Sequence, residues 1–194
     1  MNPPVIGFAA HSGTGKTTLL RRLIPALRTH GLRIGVIKHA HHTFDVDQPG
    51  KDSYELRHAG AQRVLIGSRV RWALMVEYEQ GGNGDAQPTL AELLGHMPSS
   101  DLDLILVEGF KHEQFAKIEL HRPSLARALL CQHDDSIIAV ASDETLDPAP
   151  PVPVLDLNDI NSMRDFVLAY VASHSAAVSQ PALAAAAKRD EMTG

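Results

Sequence analysis

Short apolar runs alternate with stretches of helical spacing along the chain. Val5-Ile6-Gly7-Phe8-Ala9-Ala10 has no polar side chain, as expected of a strand buried on both faces. From about Lys16 to His30, Leu19, Leu20, Leu23, Ile24 and Leu27 form one stripe, which predicts a helix ended by Gly31. Pro25 lies inside that stripe and has no N–H to donate to the carbonyl of Arg21, so the expectation is one kinked helix. Arg33-Ile34-Gly35-Val36-Ile37-Lys38 reads as the next strand. A strand, a helix and a strand in the first 38 residues make a βαβ unit with parallel strands and a right-handed crossover.

Further along, residues 39–51 are polar and contain Pro49-Gly50, which predicts a loop. Asp52 to Ala59 is a short helix ended by Gly60. Asp52 and Glu55, three residues apart, resemble a capping box. Arg63–Ile66 and Arg71–Glu77 are strand-like runs joined tightly through Gly67-Ser68, so they pair antiparallel and predict a mixed sheet. Gly81 to Asp85 is a turn and Leu90–His96 a helix. Leu102 to Val107 is a second buried strand, ending at Glu108-Gly109-Phe110. Lys117-Ile118-Glu119-Leu120-His121 alternates as a half-buried strand does, and Ser136 to Ala141 is another apolar run. Pro148 to Pro153 reads as an extended connector before a final helix near Asp159–Ser173. No internal repeat is evident. The chain thus divides into a domain over 1–172 and an Ala/Ser-rich tail over 173–194, expected to be mobile.

Composition narrows the classes. The 194 residues are 44% hydrophobic and 21% charged, which excludes disorder over the whole chain. With 18 basic and 23 acidic residues the formal charge is −5, against the basic surplus of a nucleic-acid binder. Cys131 is the only cysteine, so no intramolecular disulfide and no cysteine-based zinc finger can form. No apolar run approaches the roughly 18 residues of a membrane span. Gly, His and Ser interrupt the start by residue 12, unlike a signal peptide. A soluble cytoplasmic protein is expected, with neither nucleic acid nor membrane as partner.

The strongest chemical signal is Ala10-His11-Ser12-Gly13-Thr14-Gly15-Lys16-Thr17-Thr18. It fits the phosphate-binding loop G-x-x-x-x-G-K-[ST] between a strand and a helix, with Ala10 in the first glycine position. A methyl group is tolerated there if φ is negative. Gly13 and Gly15 let backbone N–H groups turn inward on phosphate oxygens, and the helix start adds its positive dipole end. Lys16 would bridge terminal phosphates and the Thr17 hydroxyl would ligate Mg²⁺. The motif and its flanks predict a P-loop NTPase: three-layer α/β/α with a mixed, mostly parallel sheet.

Other acids and imidazoles cluster at the same strand ends. Glu108 follows four apolar residues and is either a solvated strand-end acid or, as the phosphate loop favours, the carboxylate that a nucleotide-binding sheet places on Mg²⁺ or on its water. Gly109 would let the backbone approach the terminal phosphate, whereas Asp103, at the opposite end, caps or faces solvent. In Lys38-His39-Ala40-His41-His42-Thr43-Phe44-Asp45-Val46-Asp47, His39 and His41 share a face of an extended chain, as do Asp45 and Asp47. Three readings stay open: a transition-metal site, a switch loop serving Mg²⁺ and substrate, or solvated histidines. Asp143, after Ala141-Ser142, is either a turn former or a carboxylate accepting the N1 and N2 hydrogens of guanine. Arg57 is a possible phosphate contact, and Cys131 lacks a basic neighbourhood and is expected to be inert.

Phe8 through Leu20 resembles the start of the MobB family, the molybdopterin-guanine dinucleotide biosynthesis B proteins. The similarity continues through Ile37 to His42, Asp45-Val46-Asp47, Pro49 to Ser53, Arg57 to Ala61, Arg71 to Met75 and Leu106 to Lys111, over about residues 5–170. The resemblance implies a GTP-binding protein of P-loop fold with weak GTPase activity, assisting assembly or delivery of guanylylated molybdenum cofactor. It implies a homodimer formed through an extended shared sheet, molybdopterin or its guanylylated form as ligand, and a MobA-type nucleotidyltransferase as partner. By the same analogy Ser12, Gly13, Thr14, Gly15, Lys16, Thr17 and Thr18 hold phosphates. Thr17, Glu108 and Asp47 serve Mg²⁺, Lys16 and Glu108 act in hydrolysis, and His39, His41, Asp45, Asp47 and Asp52 lie beside the site. No Asn-Lys-x-Asp run is present, so the motifs do not establish a guanine preference, and Asp143 is only a candidate for it. Neither an arginine finger nor a water-orienting glutamine is evident, so slow hydrolysis is expected. Two rivals share the motif: an ATP-dependent synthetase or small-molecule kinase of the dethiobiotin-synthetase-like group, and a metal-chaperone NTPase.

Overall fold

The apolar run at 104–107 has side chains for two different layers, and the computed structural model shows both layers occupied. It describes residues 2–40, 44–78 and 87–174. In chain order the elements are β1 (Val5–Ala9), α1 (Lys16–Arg28), β2 (Ile34–Lys38), α2 (Asp52–His58), β3 (Arg63–Gly67), β4 (Trp72–Val76), α3 (Leu90–His96), β5 (Leu104–Glu108), β6 (Lys117–His121), β7 (Ile137–Ser142), β8 (Val154–Asp156) and α4 (160–174). They form two compact units, Met1–His39 with Leu90–Gly194, and Ala40–Thr89.

In the first unit six strands run in the order β2-β5-β1-β6-β7-β8, every neighbouring pair parallel. Leu104 and Leu106 of β5 join Ile6 and Phe8 of β1, the buried leucines of α1, and Met163 and Val167 of α4. Ile105 and Val107 point the other way, to Ile37 of β2 and Leu90, Leu93 and Leu94 of α3. Helices therefore cover both faces and the architecture is α/β/α, a P-loop NTPase fold. Leu19, Leu20, Leu23 and Leu27 are each at most 5% exposed, and burying a leucine contributes about 1.5–3 kcal/mol. That exceeds the cost of Pro25, across which α1 runs as one helix.

The antiparallel pair departs from expectation. β3 and β4 form a separate two-stranded sheet in the second unit, so the main sheet is wholly parallel. A tight hairpin needs only its own two strands, and nothing in its sequence demands a place at the edge of the larger sheet. Two further differences concern single strands. Strand β6 is buried along its whole length, between β1 and β7, and its Lys117 and Glu119 find partners there. The segment after Pro153, read as running on from a connector, adds strand β8. The helix at the C-terminal end is present over 160–174, while the turn at 81–85 and the tail from 175 lie outside the described residues.

In the second unit α2 packs beside β3. Its N-cap is Lys51, not Asp52, and Glu55 accepts the N–H of Gly50 at 3.3 Å, so the helix start is closed by one residue of the anticipated box. Register places Leu65 opposite Leu74 and Gly67 opposite Trp72, on one face of the hairpin. Leu65, Trp72 and Leu74 are all exposed. No helix among the described residues is long and apolar enough to cross a membrane.

Candidate functional site

The carboxyl ends of β1, β5, β6 and β7 meet along one edge of the parallel sheet, where ligands of open α/β folds bind. Strand β1 leads into the glycine loop. Gly13 (φ 82°) and Gly15 (φ 105°) are left-handed, a conformation that glycine adopts without strain. Among the described residues only Phe110 and Ala126 combine a side chain with positive φ, so Ala10 meets the condition for replacing glycine. The Thr14 N–H and Oγ1 both donate to the His11 carbonyl, at 3.4 and 2.8 Å, and fix the turn. Ser12, Gly13, Thr17 and Thr18 are exposed around this buried threonine.

Lys16 opens α1 and donates from Nζ to the Ala10 carbonyl at 3.3 Å. Its ammonium is held below the usual lysine range by burial, with Glu108 pulling in the opposite direction. This is a charge half withdrawn from water at the mouth of a backbone nest, the condition under which phosphate oxygens bind it best. One residue on, Thr17 Oγ1 donates to Glu108 Oε1 at 3.1 Å, and Lys38 Nζ lies 3.8 Å from Glu108 Oε2. Glu108 ends β5 and Lys38 ends β2, its parallel neighbour in register. A hydroxyl and a carboxylate in contact are hard oxygen donors, the set that suits Mg²⁺.

Gly109 follows with φ 110°, and a Cβ there would come within 2.5 Å of the His39 Cβ. Only glycine fits both constraints. The His39 N–H donates to the Glu108 carbonyl at 2.8 Å, and its ring stacks on Phe110 with centroids 4.6 Å apart. His39 thereby holds the strand end that carries Glu108.

Asp143, just past β7, is engaged rather than free. Arg122, which follows β6, donates from Nη1 to Asp143 Oδ2 and from Nε to the Thr14 carbonyl at 3.0 Å. Asp143 Oδ1 is buried and has no hydrogen bond. Arg122 is the site residue that sequence reasoning missed. A signal existed, because His121-Arg122-Pro123 ends an apolar-alternating run as Glu108 and Asp143 end theirs.

The loop acids belong to the second unit. Arg57 Nη2 contacts Asp45 at 2.6 Å and Asp47 at 2.8 Å, while Nη1 reaches Glu77 at 3.1 Å. Arg57 thus anchors an acidic cluster. Its hydrogen bond holds the Asp47 carboxyl below the ordinary carboxylate range, with burial opposing. Asp47 Oδ1 is occupied, leaving Oδ2 without a hydrogen bond. Asp52 stands exposed at the first turn of α2. His41 lies outside the described residues, and no group of three or more His, Cys, Asp or Glu side chains among the described ones is placed to hold a metal.

Comparison with known proteins places this geometry. The family model "Molybdopterin guanine dinucleotide synthesis protein B" matches residues 5–143. The molybdopterin-guanine dinucleotide biosynthesis adapter protein of Escherichia coli K12 is 52% identical over 169 residues, spanning 87% of this chain and 93% of that protein. The protein of the same name from Haemophilus influenzae is 39% identical over 165 residues, covering 84% and 87%. A crystal structure of a MobB homologue from Bacillus stearothermophilus superposes with a TM-score of 0.64 at 25% identity, over 87% of this chain and 98% of that one.

Proposed function

The chain belongs to the MobB family, and from that premise we propose that it is a GTP-binding adapter in the synthesis of molybdopterin guanine dinucleotide. The observation that carries the nucleotide reading is the loop from Ser12 to Thr18, with two left-handed glycines, an inward lysine and a threonine touching Glu108. Backbone N–H groups of Gly13 to Thr18 would grip the phosphates and Lys16 would neutralise their charge. Thr17 and Glu108 would hold Mg²⁺. When bound, Mg²⁺ supplies charge neutralisation on the phosphate oxygens. Gly109 and His39 keep Glu108 in place. Asp143 would read guanine through the N1 and N2 hydrogens.

Hydrolysis on this reading is slow. Lys38 neutralises part of Glu108, and no glutamine stands beside the loop among its described contacts. The protein would work in the cytoplasm by presenting bound nucleotide or molybdopterin, free or guanylylated, to a MobA-type nucleotidyltransferase. Titrating GTP and ATP against the purified chain with Mg²⁺ tests this. GTP should bind at least about tenfold more tightly, since an acid that accepts two guanine hydrogens meets only an acceptor at N1 of adenine. Tighter ATP binding with turnover dependent on a small-molecule acceptor would overturn it in favour of a synthetase or kinase.

A homodimer is also part of the proposal. Leu65, Trp72 and Leu74 form an apolar face of a kind that monomers rarely leave in water. Trp72→Lys should shift the sedimentation coefficient from dimer to monomer at micromolar protein. An unchanged coefficient would place the contact elsewhere.

A further inference from the structure

The guanidinium of Arg122 reaches two elements at once. Nε donates to the Thr14 carbonyl inside the phosphate loop, Nη1 holds Asp143, and Nη2 lies 3.9 Å from where a Cβ on Gly15 would stand. Thr14 is itself fixed by the His11 carbonyl, and the His11 ring Nε2 lies 3.4 Å from the Ala128 carbonyl. Two links thus run from the loop after β1 to the segment after β6. From Arg122 a third runs on to the segment after β7. Those last two segments bound a cavity of about 390 Å³, lined by His121, Arg127, Leu129 and Gln132 on one side and Thr145 and Leu146 on the other. A planar fork with fixed donor directions transmits position between its partners in a way a flexible ammonium cannot.

Asp143 is the acid whose position then matters. Arg122 takes only Oδ2, and Oδ1 is buried without a hydrogen bond. A buried acceptor left unpaired is costly, so it favours a ligand that brings donors. A guanine base brings two adjacent N–H donors, whereas adenine presents an acceptor at the corresponding ring nitrogen.

We propose that Arg122 is a specificity-determining positioning residue: by holding Thr14 and Asp143 on one guanidinium, it sets the acid relative to the phosphate loop and so selects guanine over adenine nucleotides. This rests on the nucleotide-binding reading above. Arg122 acts through Thr14 and Asp143, so its signature is the purine preference, not affinity alone.

The test is calorimetric titration of the full-length chain with GDP, GTP, ADP and ATP in Mg²⁺, for wild type, Arg122→Ala, Arg122→Lys, Asp143→Asn and the double variant Arg122→Ala/Asp143→Asn. Wild type should prefer guanine. Arg122→Ala and Asp143→Asn should each reduce that preference by about tenfold or more, the scale set by losing a directed hydrogen bond. The double variant should lose no more than the worse single one, because both break one coupled element. Arg122→Lys should recover phosphate affinity without recovering the preference. Equal losses for guanine and adenine in Arg122→Ala would overturn the inference, as would additive losses in the double variant. Wild type that binds nucleotides without purine preference would refute the assignment of Asp143 and this inference with it. Wild type that binds none would refute the nucleotide reading itself. If Arg122→Ala melts early, Arg122→Lys and Asp143→Asn decide the question on the same ratio.

Discussion

Replacing Lys16 by Ala should weaken binding of nucleoside triphosphate by about ten- to a hundredfold. The lysine is the one cationic side chain of the loop, and its bond to the Ala10 carbonyl holds it there. A hydrogen bond to a charged group is worth about 1.5–3 kcal/mol, and each 1.4 kcal/mol is tenfold in affinity. Burial already makes its charge less stable than that of a solvated lysine, so phosphate oxygens have more to offer it than water has left in place. The folded state should be nearly untouched, because the ammonium makes only that one bond at the loop's rim. Titration calorimetry on Lys16→Ala, beside a thermal melt of the same sample, separates the two effects. Undiminished affinity in a folded variant would overturn the phosphate-loop assignment.

Much of this site is visible in the chain because its parts are local. A glycine loop between an apolar strand and an amphipathic helix places Lys16 and Thr17 by short-range geometry alone, and the structure keeps them there. Glu108 and Gly109 are readable for a related reason: an apolar run ending in a carboxylate and a glycine marks a strand end, and parallel register brings it beside β1 and β2. What local pattern does not carry is the pairing of distant residues. Arg122 meets Thr14 across 108 positions, and only the strand order β1-β6-β7 makes that possible. Arg57 likewise collects Asp45, Asp47 and Glu77 through the fold of the second unit, while its spacing on α2 says only that it is helical. Hairpin β3–β4 shows the same limit. Its turn is legible in Gly67-Ser68, but which sheet it joins is a tertiary fact.

Strand β6 misleads in a more instructive way, and it supplies the second large effect. Alternating Lys117, Glu119 and His121 looks like one wet face, yet Lys117 and Glu119 are fully buried. Glu119 accepts the N–H groups of Leu130 and Cys131 at 2.8 and 2.9 Å, closing a short 3₁₀ turn against β7. Lys117 Nζ donates to the carbonyls of Lys111 and Glu113, at 3.1 and 2.6 Å, and pairs with Asp134 at 2.8 Å. Period two signals a half-solvated strand only when its polar residues have no partners in the protein. Here Lys117 and Glu119 both have them. Lys117→Met should therefore destabilise the chain by about 3–5 kcal/mol, since removing one member of a buried pair leaves the other uncompensated. For a chain of this size that lowers the melting temperature on the order of 10 °C.

Adding Asp134→Asn to Lys117→Met should recover part of the loss, because no unpaired charge then remains. The pair also has a pH signature. Burial pushes the Asp134 carboxyl up, but Lys117 and Ser136 together outweigh it and hold it below its ordinary value. A carboxylate depressed on folding stabilises fully above its unfolded pKa, about 3.8, and that contribution is lost as pH falls below it toward the folded value. Urea titrations at pH 7 and pH 3 should show a smaller gap between wild type and Lys117→Met at the lower pH. A gap that is the same at both would mean that Lys117 gains its stability from the two carbonyls and not from the ion pair, and a loss under 1 kcal/mol at pH 7 would mean that neither contributes as argued.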